Sequence, residues 1–206
     1  MRFVLGALAV VLAVVAWSAY RTHVNEERLG KVESDLADRP VGVDCQTLLG
    51  SLLDVGWRAG EVRFGADGRP GNKAFLTRGT CRDLERFWRA DDKERLVGCL
   101  VHARLTADSL YGVCRSGAHI AGSIKVLAHE AQHLRGITDE SVAECYGIEK
   151  TAFTAEQLGA TPTEAAALAR YVWLSLAYMP QSYVSPECHP GGKLDLHPDT
   201  ADWPSA

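Results

Sequence analysis

The sequence predicts a mostly helical α+β domain that carries a small β ribbon and follows an N-terminal transmembrane helix. Three observations lead there: an apolar run at the start, several stretches with apolar residues at helical spacing, and one Gly- and Pro-rich segment flanked by short alternating runs. At 206 residues, 47% hydrophobic and 23% charged, the chain has room for one domain after its N-terminal segment. A net charge of -4 without a long basic run argues against nucleic acid as a partner.

Phe3 to Tyr20 is apolar except for Gly6 and Ser18, and ends in the interfacial aromatics Trp17 and Tyr20. As a helix it just spans the hydrocarbon of a bilayer, so residues 1–20 are expected to be a signal anchor. A cleavable signal peptide is the alternative, although Arg2 is a thin basic region and Ala16-Trp17-Ser18 a poor cleavage site. Arg21, Arg28 and Lys31 follow the run, so counting basic residues does not orient it. The cysteines do. Six of them, at positions 45, 81, 99, 114, 145 and 188, occur without C-x-x-C spacing and read as three disulfides formed in an oxidising compartment. The expected protein is single-pass in the cell membrane with its C-terminal domain extracytoplasmic, or secreted if the segment is cleaved. Cys145 with Cys188 and Cys99 with Cys114 are the expected pairs.

Residues 21–40 are polar and mixed in charge and read as a juxtamembrane linker, with His23 a bland member. The domain then covers 41–206. Asp44 is a possible N-cap for a core helix carrying Leu48, Leu49, Leu52 and Leu53 and ended by Gly56 and Gly60. Glu61 to Phe64 and Ala74 to Thr77 flank GADGRPGN and predict a small hairpin or sheet edge. Thr80 is expected to cap a helix with Leu84, Phe87 and Trp88, and a further helix runs from Asp92 to about Leu105. RADDKER between them is a solvated stretch, His102 a core histidine, and His119 structural.

Val126 to Glu149 holds the chemistry. His129, Glu130 and His133 form H-E-x-x-H, and imidazoles four positions apart on a helix project from one face and can share a metal ion. Ile120, Ile124, Leu127, Ala128, Ala131 and Leu134 occupy the opposite side, so the helix can dock its back on a core. Gly136 is a C-terminal stop and Thr138 a plausible N-cap for the next helix. Asp139, Glu140 and Glu144 are the carboxylates on offer as third ligand. Glu140, Ala143, Glu144 and Gly147 share one face, and the small Ala143 and Gly147 allow close packing. Glu140 is the favoured ligand; Glu144 is the alternative, or else orients a ligand histidine.

This stretch resembles the zinc-dependent metallopeptidases of the gluzincin kind, in particular small ones whose Glu ligand lies on the following helix in a pattern like E-x-x-A, here Glu140-Ser141-Val142-Ala143. The resemblance covers only residues 126–153. It implies a zincin-like minimal domain, Zn2+ as cofactor, Glu130 as general base, and a ribbon strand that binds extended peptide.

Thr161-Pro162-Thr163-Glu164 is a capping box that opens a helix through Tyr178, too short to span a bilayer and expected to lie buried beneath the site, with Tyr171 and Trp173 as packing. The tail from Pro180 is irregular. If Cys188 is held near Cys145, Tyr183 or His189 can reach the cleft and donate to an oxyanion. The expected function is therefore a membrane-anchored extracytoplasmic zinc metallopeptidase acting on peptide or protein substrates. A zinc-containing cell-envelope binding or assembly protein without proteolytic activity is the alternative, and a zinc amidase acting on a cell-wall component a third.

Overall fold

The computed structural model describes residues 2–47, 59–102, 114–198 and 203–204, with side chains from residue 10 onward. The architecture is mostly helical α+β with one three-stranded sheet. The expected helix over Leu48 to Gly56 and the continuation to Leu105 lie outside the described residues.

Helix α1 runs from Arg2 to Ala37 without a break. Residues 21–40, expected as a linker, are therefore no spacer: the segment is helical up to Ala37 and belongs to the folded domain. Leu29, Val32 and Leu36 recur at i, i+3 and i+7 and are buried, with Ala37, Asn25 and Glu33 buried beside them. The stripe is about one residue wide per turn and set among charges, which hides it in the sequence. Asp38 ends the helix in the left-handed region at φ 54°, and Pro40 forbids a helical continuation through Arg39. Val10, Val11, Leu12, Val14, Val15, Trp17 and Tyr20 are each more than half exposed. No helix among the described residues is long and apolar enough to cross a membrane.

The strands are β1 (Gly42–Cys45), β2 (Gly60–Phe64) and β3 (Pro70–Leu76), in the order β1-β3-β2. The expected ribbon is the antiparallel β2–β3 pair, which sets Val62 opposite Ala74 and carries an irregularity between Val62 and Phe64. Strand β1 joins it in parallel, with Cys45 beside Leu76. Asp44, expected as an N-cap, is instead a β1 residue whose carboxylate accepts from Lys73 Nζ at 2.9 Å. Val43, Cys45, Val62, Ala74 and Leu76 are buried, so the sheet presents one alternating face to the helices. β2 is left at the sheet edge.

Helix α2 (Arg78–Trp88) is capped by Thr77, whose Oγ1 accepts from the Thr80 amide at 3.2 Å, so the cap lies three residues before the expected Thr80. Helix α3 (Glu94–His102) follows the solvated RADDKER stretch. His102 is not a core histidine: it is exposed on the last described turn, with Nε2 2.8 Å from Glu94 Oε1. His119 is also exposed.

The central element is α4 (Arg115–Leu134), which touches α1, α2, α3, the sheet, α5 (Glu140–Gln157) and α6 (Pro162–Ser175). Its Ile120, Ile124, Leu127 and Ala131 are fully or almost fully buried, in a core shared with Leu84, Phe87, Leu100, Ile148 and Leu168, while its last residue, Leu134, is buried in a smaller cluster with Ala37, Val62 and Ala74. α6 opens with the expected capping box and Pro162, then tightens into a 3-10 turn over Leu176–Tyr178. Trp173 meets the buried Trp203 edge to face at 5.1 Å, so the chain's end returns to α6. Three disulfides join Cys45 to Cys81, Cys99 to Cys114 and Cys145 to Cys188. Two are the expected pairs, and the third ties β1 to α2.

Candidate metal centre

The site is made by the turn between α4 and α5. Gly136 at φ 98° donates to the His133 carbonyl at 2.9 Å and Ile137 donates to the Gln132 carbonyl at 3.1 Å, a Schellman closure that only a residue at ease in the left-handed region permits. Asp139, one residue after the expected Thr138, then caps α5: its Oδ1 accepts from the Ser141 and Val142 amides at 2.9 and 3.0 Å. The chain therefore reverses within a few residues, and the first side chain of α5, Glu140, returns over the two histidines.

His129 and His133 lie one turn apart on α4 with their Nε2 atoms 3.0 Å from each other. Glu140 Oε2 is 3.2 Å from His129 Nε2 and 3.4 Å from His133 Nε2. Three donor atoms thus converge, two from buried imidazoles and one from a half-exposed carboxylate, and this group could hold a metal ion. Two imidazole lone pairs at that spacing repel unless a positive charge lies between them, as a proton or as a cation.

Each ring is also held from behind. His133 Nδ1 donates to the Ile137 carbonyl at 2.6 Å, which leaves the Nε2 lone pair facing inward. His129 Nδ1 lies 3.0 Å from Glu144 Oε2, although the carboxylate sits off the N–H direction and the contact is an ion pair rather than a well-aligned hydrogen bond. Glu144, itself buried, is gripped by Lys125 Nζ at 2.9 and 3.0 Å. So Glu140 faces the ligand nitrogens, whereas Glu144 faces the back of one ring.

The helices approach closely here. A Cβ on Gly147 would come within 3.0 Å of the His129 Cα, so glycine is required for α5 to lie against α4 at this height. Ala143, one turn earlier, is fully buried in the same contact. On the other side, Gly60 of β2 abuts Glu130: a Cβ there would fall 2.5 Å from Glu130 Oε1.

Burial pulls the His129 imidazole down, but Glu140 and Glu144, with Glu130 behind them, outweigh it and bring it up to about 9. His129 in turn holds Glu140 below the usual carboxylate range. Burial would raise Glu144, yet His129 and Lys125 outweigh it and keep it low. The arrangement favours positive charge at its centre. Burial pushes Glu130 the other way, up to about 7, opposed by His129 and reinforced by Glu140. Its Oε2 is buried without a hydrogen-bond partner among the described residues.

A cavity of about 200 Å³ opens over these groups, walled by Gly60, Val62 and Phe64 of β2, by His129, Glu130 and His133, and by Glu140 and Tyr183. Phe64 meets His133 edge to face at 6.3 Å, and the Tyr183 ring lies 6.0 Å from that of His129. The tail therefore reaches the cleft through Tyr183 and not through His189. His189 is exposed outside it, its Nδ1 donating to the Pro190 carbonyl at 2.9 Å, because the chain turns away again at Gly191 (φ 72°). A second cavity of about 410 Å³ shares Gly60 and Glu61 with the first and extends across β2.

Sequence reasoning missed Lys125, which sits four residues before His129 and could have been found by that spacing, and Gly60, which reads as a mere helix end. No family model matches this chain, and no curated protein or solved structure is similar enough to match it.

Proposed function

We propose that the chain is a membrane-anchored, extracytoplasmic zinc metallopeptidase. The observation that carries this reading is Glu130: a buried carboxylate with an unpartnered oxygen, one residue along the helix from a ligand histidine and inside the cavity the three donors line. A purely structural metal needs no such base beside it.

Zinc is supported by the donor chemistry, two imidazoles and one carboxylate, and by spacing. Ligands about 2.0–2.1 Å from a tetrahedral zinc are about 3.3–3.4 Å from one another; the donors here stand at 3.0, 3.2 and 3.4 Å. His129, His133 and Glu140 would hold the ion, and three protein ligands leave one corner open. When bound, zinc lowers the pKa of a water towards about 7 and polarises a substrate carbonyl.

The protein's own groups do the rest. Glu130 takes the proton of the attacking water and delivers it to the leaving amine, which balances the cleavage of one amide bond by one water. Tyr183 supplies a hydroxyl to the developing oxyanion. Glu144 and the Ile137 carbonyl keep the imidazoles oriented, and Lys125 keeps Glu144 ionised. An extended peptide lies along the β2 edge, where the two cavities meet, and adds its backbone hydrogen bonds to that strand. Three disulfides favour an oxidising compartment, and the apolar run Phe3–Tyr20 supplies the anchor.

The test compares wild type with Glu130→Gln for bound metal and for digestion of a peptide library. One zinc per chain in both, with cleavage only by wild type, is the expected result. Equal cleavage by Glu130→Gln would sink the mechanism. Metal in both with cleavage by neither would favour the binding or assembly reading.

A further inference from the structure

Helix α1 carries a second buried carboxyl that the mechanism above does not use. Glu33 is fully buried, and both of its carboxyl oxygens lack a hydrogen-bond partner among the described residues. An ionised carboxylate in that condition would cost several kcal/mol. A charge is retained inside a protein only with a partner, so the group is kept neutral.

Its place in the fold says what it faces. Ala37 of α1 and Leu134 of α4 pack together with Val62 and Ala74 in one buried cluster. One turn before Ala37 is Glu33, and one turn before Leu134 is Glu130. The two helices are in contact and their C-terminal ends meet, the Arg39 Nε donating to the Leu134 carbonyl at 3.0 Å, so each carboxyl lies one turn back from a shared end. Consistent with this, burial first and the Glu130 charge second push the Glu33 carboxyl well above its ordinary range. Glu130 Oε2 is the third orphaned carboxyl oxygen of this interior. With Gly60 pressed against Oε1, the Glu130 side chain has one face walled by backbone and one face without a donor.

We propose that Glu33 is a positioning residue that holds a proton permanently and donates it as a hydrogen bond to the Glu130 carboxylate, fixing the orientation of the base. A carboxyl–carboxylate hydrogen bond is short and charge-assisted, and a donor on one oxygen leaves the other to face the reacting water. The assignment rests on the reading of Glu130 as general base, but the proton on Glu33 does not.

Three variants and two measurements separate the possibilities. The infrared difference spectrum of metal-free wild type minus Glu33→Gln, taken about two pH units above neutral, where Glu130 and Glu149 are ionised, should contain the carbonyl stretch of a protonated carboxyl, and that stretch should shift when both proteins also carry Glu130→Gln, where its acceptor becomes an amide. In the zinc-loaded protein, Glu33→Gln keeps a neutral donor and should hold turnover within about threefold of wild type. Glu33→Leu removes the donor and should lower kcat at least about tenfold, with KM and zinc content unchanged. Absence of the carboxyl band from that difference spectrum, or full turnover in a folded Glu33→Leu, overturns the proposal. If Glu33→Leu does not fold, the band and the Glu33→Gln result still decide it. A band that behaves as expected while Glu130→Gln remains active would fault the general-base reading alone.

Discussion

At the scale of single residues, the site is shaped as much by what is missing as by its donors. Gly60 has no side chain because the Glu130 carboxylate occupies that space. Gly60→Ala should displace the Glu130 head group while leaving the three metal donors alone, lowering turnover by about tenfold or more at unchanged metal content; paired kinetic and metal assays would check it. The legible part of the site was the part with a repeat. His129 and His133 at i, i+4 and Glu140 with Glu144 on one helical face follow from helix geometry and need no fold to be seen. Gly60 and Glu33 come from β2 and α1, far away in the sequence, and no periodicity links them to His129. Their roles exist only once the sheet and α1 have packed on α4.

At the scale of elements, α5 depends on its first turn. Asp139 satisfies two amides there, and Glu140, the carboxylate beside both imidazoles, is the next residue. Asp139→Ala should cost about 1 kcal/mol of stability and, by fraying that turn, weaken metal binding as well; chemical denaturation and a metal titration on one preparation would show whether the two losses travel together. Hydroxyls and carboxylates cap alike, so the sequence does not separate Thr138 from Asp139; the choice between adjacent candidates depends on the turn closed by Gly136. α1 departs further from what its sequence predicts. Its buried stripe is narrow and its charges dense, so composition predicts a spacer where packing makes a helix. Leu29→Ala should therefore destabilise the whole domain by roughly 2–5 kcal/mol, whereas a true spacer would tolerate it; thermal melts of the metal-free protein separate the two.

At the scale of the whole molecule, the tail is fastened at several places, among them the Cys145–Cys188 disulfide, the Trp203 ring against Trp173, and the Leu196 amide, which donates to Glu149 Oε2 at 2.9 Å. Burial raises the Glu149 carboxyl to about 7, and the charge of Asp195 adds to it although the Leu196 hydrogen bond opposes. Because its folded value lies above the usual one for glutamate, the folded state holds the extra proton, and the associated stability is complete at about pH 4 and lost as pH rises through 7. Between pH 5 and 8 wild type should lose stability that Glu149→Gln does not, the amide oxygen still accepting from Leu196; melting temperatures across that range measure the difference.

The unbroken course of α1 has a mechanical consequence. One rod bears exposed apolar side chains up to Tyr20 and carries the buried Glu33 near its other end, and at 1.5 Å per residue those points are about 20 Å apart. With its leading half embedded in a bilayer as proposed, the rod is a fixed stand-off: the cleft hangs at one altitude over the lipid surface and cannot swing on a tether. Under the proposed function, polypeptide emerging from the same leaflet within that reach would be in range, and scissile bonds carried higher would have to bend down to it.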